Sequence, residues 1–199
     1  MKTLIVTGGV ATGKSTVCGL LVERAEKAVC FDADACVRTL LTSAEVVALI
    51  REEFGGAVFD DDGFLSRCRL REIVFSDSAS RERLEEILHP LVKRSCLNLM
   101  AEARSSSEKL VFIADIPLYF EAAFDVPTDF VAVVATGRRT QISRIINERG
   151  LERNMAEKII GSQWPIEKKI CRADLVLWNS GDRGPLCHQV ELLLKSVLN

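Results

Sequence analysis

The chain predicts an α/β domain of three layers, with helices on both faces of a mostly parallel sheet of five strands. Two observations carry this. Five short apolar runs, rich in β-branched residues and free of polar alternation, have the pattern of strands covered on both faces. Helical periodicity fills most of the intervals between them, so consecutive strands are joined by crossovers and run parallel. At 199 residues the chain is long enough to bury about 70 percent of the surface its unfolded form exposes.

The first strand is Thr3 to Thr7, a β-branched run ended by Gly8 and Gly9. Ser15 to Arg24 follows as a helix, with Val17, Leu20 and Leu21 at helical spacing. The remaining strands are Ala28 to Phe31, Leu110 to Ala114, Phe130 to Ala135 and Leu175 to Trp178. Helices are expected over Gln141 to Asn147 and over the last stretch, where Val190, Leu193, Leu194 and Val197 share a face. These parts form a core of residues 1–40 and 108–199. Residues 41–107 read as a helical, substrate-binding insertion, because Leu84, Ile87, Leu88, Leu91, Val92 and Leu99 recur at helical intervals and no strand is evident. Pro90 either kinks that helix or ends it near His89, with a restart beyond, and Ser105 to Ser107 is the exit loop.

Bulk composition narrows the partners. A formal net charge of -2, with both signs scattered along the chain, gives no field for nucleic acid or a membrane surface. Seven cysteines without a C-x-x-C pair suit free thiols in a reducing compartment. The apolar run at the N-terminus is too short for a signal peptide, and no run approaches the roughly 20 residues of a membrane span. A cytoplasmic protein is expected.

Gly8-Gly9-Val10-Ala11-Thr12-Gly13-Lys14-Ser15 matches G-x-x-x-x-G-K-[ST] between a strand and a helix, the setting of a phosphate-binding P-loop. The chemistry explains the residue types. Backbone N–H groups of Gly9, Val10, Ala11, Thr12, Gly13, Lys14 and Ser15 converge on the β-phosphate of ATP, with the positive end of the next helix behind them. Lys14 reaches the β- and γ-phosphates, the Ser15 hydroxyl is a ligand for Mg²⁺, and Thr16 adds a hydroxyl at the α-phosphate.

Such a loop serves kinases, GTPase switches and motors alike. Asp60-Asp61-Asp62-Gly63 fits the D-x-x-G of GTPases in form, but no apolar strand leads into it, and no N-K-x-D segment reads guanine. A kinase is favoured by Asp32-Ala33-Asp34 at a strand's carboxyl end, where open α/β sheets bind ligands. Asp32 fits two roles, a cap for the following helix or a site carboxylate. Asp34 is expected to orient an acceptor hydroxyl and take its proton, capping and surface exposure being the alternatives. Arg138, Arg139, Arg144, Arg149 and Arg153 crowd the stretch after the fourth strand, where about residues 138–165 read as a lid.

At this point the chain resembles the bacterial dephospho-CoA kinase family over nearly its whole length. Thr7 to Thr16 is similar to the family's T-G-G-I-[GA]-S-G-K-S-T, and Asp32-Ala33-Asp34 with Arg38 to its D-A-D-x-x-x-[RH]. Phe54-Gly55, Asp62-Gly63, Leu65, Arg67, Leu70-Arg71 and Phe75 follow the run F-G…D-G-x-L-x-R-x-x-L-R-x-x-[VI]-F, and Leu88-His89-Pro90 matches L-H-P. Asp115-Ile116-Pro117-Leu118 with Glu121 resembles D-[IV]-P-L-L-x-E, with Tyr119 in place of the second leucine. Arg144 matches the arginine of Q-[LI]-x-R, Gln163 the glutamine ending the lid helix, and Asn179-Ser180-Gly181 the N-x-G near adenine.

The resemblance implies a P-loop NTPase fold and phosphorylation by ATP of the ribose 3'-hydroxyl of dephospho-CoA, the last step of coenzyme A synthesis. It implies that Asp34, Lys14 and Arg144 are catalytic, and that Arg144 and Asn179 also bind ATP. It further implies that Asp34, Arg38, Arg67, Arg71, His89, Pro117 and Leu118 face the acceptor, and that Asp115 serves Mg²⁺ from the outer sphere. For His89 a hydrogen bond at a helix terminus beside Pro90 is the alternative. The residues alone leave open a related kinase acting on a nucleoside monophosphate or a small metabolite. One departure stands out: aligned through Gly150-Leu151, Glu148 occupies the position of the family's second lid arginine, and Arg149 is its neighbour.

Overall fold

A computed structural model of the protein describes residues 1–106 and 111–198, so Ser107 and Leu110 lie outside the described residues. The chain divides into two compact units, Met1–Asp32 with Asn98–Asn199, and Ala33–Leu97. The second unit begins at Ala33 rather than 41 and ends at Leu97 rather than 107.

In the first unit, β1 (Lys2–Gly8) runs into the glycine loop and α1 (Lys14–Arg24), followed by β2 (Ala28–Asp32). Helices α2 (Ala33–Leu40), α3 (Ala44–Phe54) and α4 (Arg67–Ser76) belong to the second unit, and α5 (Ser78–Ser105) crosses the boundary between the two. The first unit then continues through β3 (Val111–Asp115), β4 (Phe130–Ala135), α6 (Arg138–Arg149), α7 (Arg153–Gly161), α8 (Ile166–Ile170), β5 (Leu175–Trp178) and α9 (Arg183–Leu198).

Among the described residues the strands form one parallel sheet in the order β2-β3-β1-β4-β5, with β1 at the centre. Leu4, Val6, Val17, Leu21, Ile113, Val134, Val190 and Leu194 make the main core between sheet, α1 and α9.

Not every strand is covered on both faces as expected. The central strands β1, β3 and β4 are buried almost throughout, whereas β2 buries only Phe31 and β5 only Leu177. The last two are the sheet's edges, and their inner apolar residues need only one covered face.

In the second unit Ser43 caps α3 by accepting from the Val46 N–H, and Ser66 caps α4 by accepting from Arg69. Asp60, Asp61 and Asp62 form a polar turn between Phe59 and Leu65, which pair as an antiparallel bridge that the pattern of residues did not announce. The α5 helix neither ends nor restarts near His89, since it contains Pro90 in one span of 28 residues. Proline removes one N–H donor there. Leu84, Leu88 and Leu91 pack on the cluster of Val46, Ile50, Val58 and Leu70 from both sides of the proline, and this shared packing offsets the missing bond.

The cysteines separate by burial. Cys18 and Cys96 are buried, Cys30, Cys68 and Cys171 are exposed, and all are free thiols. Burial pushes the Cys96 thiol up to about 12. Its thiolate fraction at pH 8 is then on the order of 10⁻⁴, so brief alkylation of the native protein is expected to label Cys30, Cys68 and Cys171 and spare Cys96. Peptide mapping by mass checks this, and early label on Cys96 would contradict its burial.

Candidate active site

The loop between β1 and α1 is shaped by backbone that side chains resist. Gly13 stands at φ 89, and a Cβ there would collide with the Asn179 amide. Ala11 takes the left-handed conformation at φ 56 without being glycine, at a cost of about 1–2 kcal/mol.

What holds the loop is a set of side-chain donors on its carbonyls. Lys169 Nζ donates to Gly8 O at 3.2 Å and Gln141 Nε2 to Val10 O at 2.8 Å. Arg144 Nη1 donates to Ala11 O at 3.1 Å, and Asn179 Nδ2 to Thr12 O at 2.9 Å. In a trans peptide the C=O and the next N–H point to opposite sides. Fixing these carbonyls therefore turns the N–H groups of Gly9, Ala11, Thr12 and Gly13 the other way, as a cradle for an anion requires.

Val10 differs from the expectation. Its N–H donates to Gln163 Oε1 at 2.8 Å, while its side chain packs with Ile142, Ile145 and Ala156. The peptide before it is thus reversed, and the Gly9 carbonyl accepts from Lys14 Nζ at 3.1 Å and from the Thr12 hydroxyl at 2.9 Å.

Ser15 and Thr16 present exposed hydroxyls in the first turn of α1. Of the five arginines that crowd the α6–α7 stretch, Arg144 reaches the loop, with its second Nη on Asn179 O at 3.1 Å. Arg153 instead pairs with Glu157 at 3.1 Å, and Arg138, Arg139, Arg149 and Glu148 are exposed.

At the carboxyl ends of the strands Asp32 and Asp115 are register partners in β2 and β3, and Asp115 is 92 percent buried by its 8 percent exposure. Asp115 lies close enough to α1 to help push the Cys18 thiol up, although the larger causes are the hydrogen bond that Cys18 makes to Cys30 and burial. The same hydrogen bond holds the Cys30 thiol below its ordinary range. Ser15, Asp32 and Asp115 offer oxygen donors alone, a set that fits a hard cation such as Mg²⁺. Among the described residues no group of three or more His, Cys, Asp or Glu could hold a metal, so such an ion would depend on phosphate and water for its remaining ligands.

Pro117 and Leu118 follow β3 in the first unit, where Pro117 O accepts from the Thr7 hydroxyl at 3.2 Å. The other residues expected on the acceptor side belong to the second unit. Asp34 is exposed in the first turn of α2, with Arg38 one turn on. Arg67 Nη2 donates to the Arg38 carbonyl at 2.9 Å, which joins the starts of α4 and the end of α2. Arg71 is exposed on α4, and His89 is half-buried on α5.

Two members of the cradle, Gln141 and Lys169, were not among the expected nucleotide ligands. Gln141 begins the string in which Arg144 was singled out, so a signal for it existed. Lys169 follows Lys168 in a polar stretch and gave none.

The family model described as dephospho-CoA kinase matches residues 3–184. A dephospho-CoA kinase of Fusobacterium nucleatum is 35% identical over 96% of this chain and 96% of its own length. That of Enterococcus faecalis is 36% identical over 98% of this chain and 96% of its own. A crystal structure of a Thermus thermophilus protein superposes with a TM-score of 0.81 at 28% identity, covering 100% of this chain and 98% of that one. The dephospho-CoA kinase from Campylobacter jejuni has the same fold, with a TM-score of 0.69 at 23% identity and coverage of 100% and 98%.

Proposed function

The chain belongs to the dephospho-CoA kinase family, its activity is the ATP-dependent phosphorylation of dephospho-CoA in coenzyme A synthesis, and we propose that the ribose 3'-hydroxyl is the acceptor and that Lys14, Arg144 and Asp34 carry the transfer. The observation that supports the donor half is the cradle, in which fixed carbonyls turn the N–H groups of Gly9, Ala11, Thr12 and Gly13 to the other side of the loop, near Lys14 and Arg144.

Phosphoryl transfer passes through a loose transition state whose charge spreads over the equatorial oxygens, so positioning and charge neutralisation dominate. The cradle holds the β-phosphate with donors already oriented, which costs no reorganisation as charge develops. Lys14 exchanges the Gly9 carbonyl for the β- and γ-phosphate oxygens, and Gly9 O keeps the Thr12 hydroxyl as donor. Arg144 is anchored by one nitrogen on Ala11 O and one on Asn179 O, leaving its charge beside the loop. Asp34 orients the acceptor hydroxyl and receives its proton as the new bond from that oxygen to the γ-phosphorus forms and the bond from the γ-phosphorus to the bridging oxygen breaks, with ADP leaving. Mg²⁺, held by Ser15 with Asp115 in the outer sphere, would supply further neutralisation of the phosphates.

We assign Arg38, Arg67, Arg71 and His89 of the second unit, with Pro117 and Leu118, to acceptor binding, and residues 138–165 to a lid that excludes water from the transfer. Among the described residues no helix is long and apolar enough to cross a membrane. The free thiols suit a reducing compartment, and on that ground we place the reaction in the cytoplasm.

The test is an assay of ADP release with Mg-ATP and, separately, dephospho-CoA, AMP, CMP, gluconate or shikimate, with product mass as confirmation. Turnover is expected with dephospho-CoA alone, giving coenzyme A. Turnover on AMP, CMP or a small metabolite with none on dephospho-CoA would replace the acceptor and leave the cradle's assignment intact.

A further inference from the structure

Lys169 braces the phosphate loop from behind but is given no contact above with nucleotide, acceptor or metal, and its side chain is wholly buried. Its ammonium pairs with Glu121 Oε1 at 2.7 Å and donates to Gly8 O at 3.2 Å and to Pro117 O at 3.4 Å. An ammonium has three N–H donors, and here three acceptors meet them. Glu121 Oε1 also accepts from the Trp164 N–H at 3.1 Å, one residue beyond the Gln163 that holds Val10.

One buried charge thereby ties the start of the phosphate loop, the turn of Pro117 and Leu118, and the end of the 138–165 segment. A buried ion pair is a poor device for stability alone, because apolar residues of similar volume at both positions are often as stable or more so. Its geometry does something an apolar pair could not. Holding the Gly8 carbonyl fixes the first peptide plane of the loop and thus the direction of the Gly9 N–H.

We propose that Lys169, kept in place by Glu121, is a positioning residue for the transfer: it sets the phosphate loop and the Pro117 turn as one piece, so that nucleotide and acceptor are presented together. This rests on the kinase reading above, with Pro117 and Leu118 on the acceptor side.

The decisive variant is the charge-free double substitution Lys169→Met with Glu121→Leu, which leaves neither charge buried alone and so keeps the fold. Thermal unfolding close to that of the native protein is expected, with kcat/KM for ATP lower by roughly tenfold to a hundredfold, as for a small misplacement of reacting groups. KM for dephospho-CoA should rise as well. Lys169→Met alone should lose both stability and activity, and Lys169→Arg should recover most of each by returning the charge and its donors. A purely structural pair predicts otherwise: the double variant, per folded molecule, would keep native kcat and both native KM values, and that result would overturn the proposal. ATP affinity by calorimetry is measured without acceptor. An error in the acceptor's identity, seen as no turnover by the native protein on dephospho-CoA, is therefore distinct from native ATP affinity in the double variant, which would defeat the loop-positioning claim.

Discussion

Lys14→Ala is expected to lower kcat/KM for ATP by about a thousandfold, which is about 4 kcal/mol of transition-state stabilisation. The size follows from what is removed, the mobile cation that meets charge on the β- and γ-phosphate oxygens, where few water molecules can substitute. The fold should survive. Lys14 is half-buried, and the carbonyl that its Nζ engages, Gly9 O, retains the Thr12 hydroxyl at 2.9 Å as a donor. Thermal unfolding without nucleotide should therefore match that of the native protein, while ATP turnover collapses. Native kinetics in a folded Lys14→Ala protein would remove the loop from the mechanism.

Asp34→Asn is the second large effect, and it should divide the kinetic constants differently. The amide keeps the shape of the carboxylate but can neither take the acceptor's proton nor carry its charge, so kcat should fall by about a hundredfold or more. ATP binding should change less than about twofold, because the cradle and Lys14 are untouched. Asp34 is exposed in the first turn of α2, where a carboxylate is favoured by the helix dipole, so the loss of stability should stay within about 0.3–1 kcal/mol. Steady-state kinetics with each substrate varied in turn checks the split. An unchanged kcat would mean that Asp34 serves α2 rather than the chemistry.

The strands were legible because burial leaves a direct imprint on composition. A β-branched apolar run between turn residues can do little else, and the runs from Thr3, Ala28, Phe130 and Leu175 each lie within a strand. Position within the sheet was not legible. The inner face of an edge strand selects the same residue types as a central strand, and only the order of pairing shows that Val176 and Trp178 are exposed. Pro90 left two readings open, a kink or an end, and the second fails for a related reason. Local propensity opposes a helix there, and the packing of Leu84, Leu88 and Leu91 on a distant cluster overrides it.

In the site, Gly13, Lys14 and Ser15 announced themselves because phosphate binding demands their residue types at fixed spacing. The donors that hold the loop from behind did not, since any polar residue in a helical stretch reads as a solvated face. Lys168 and Lys169 show how fine the distinction is. The first lies over the Trp164 ring at 3.4 Å on an exposed face, and the second, turned about 100° around the helix, is buried on Gly8.

The cradle also has a history within each molecule's synthesis. Its backbone is made first, but the donors that fix it lie 131 residues on at Gln141, 133 from Ala11 at Arg144, 161 from Gly8 at Lys169 and 167 from Thr12 at Asn179. Contacts so distant in sequence cannot form until the chain between them has been made and closed. A nascent chain that carries the complete glycine motif therefore still lacks the side chains that brace these four carbonyls, and the set is complete only once Asn179 has been made. Nucleotide that binds the braced loop then stabilises the finished sheet, because its binding energy counts only toward the state that holds the site.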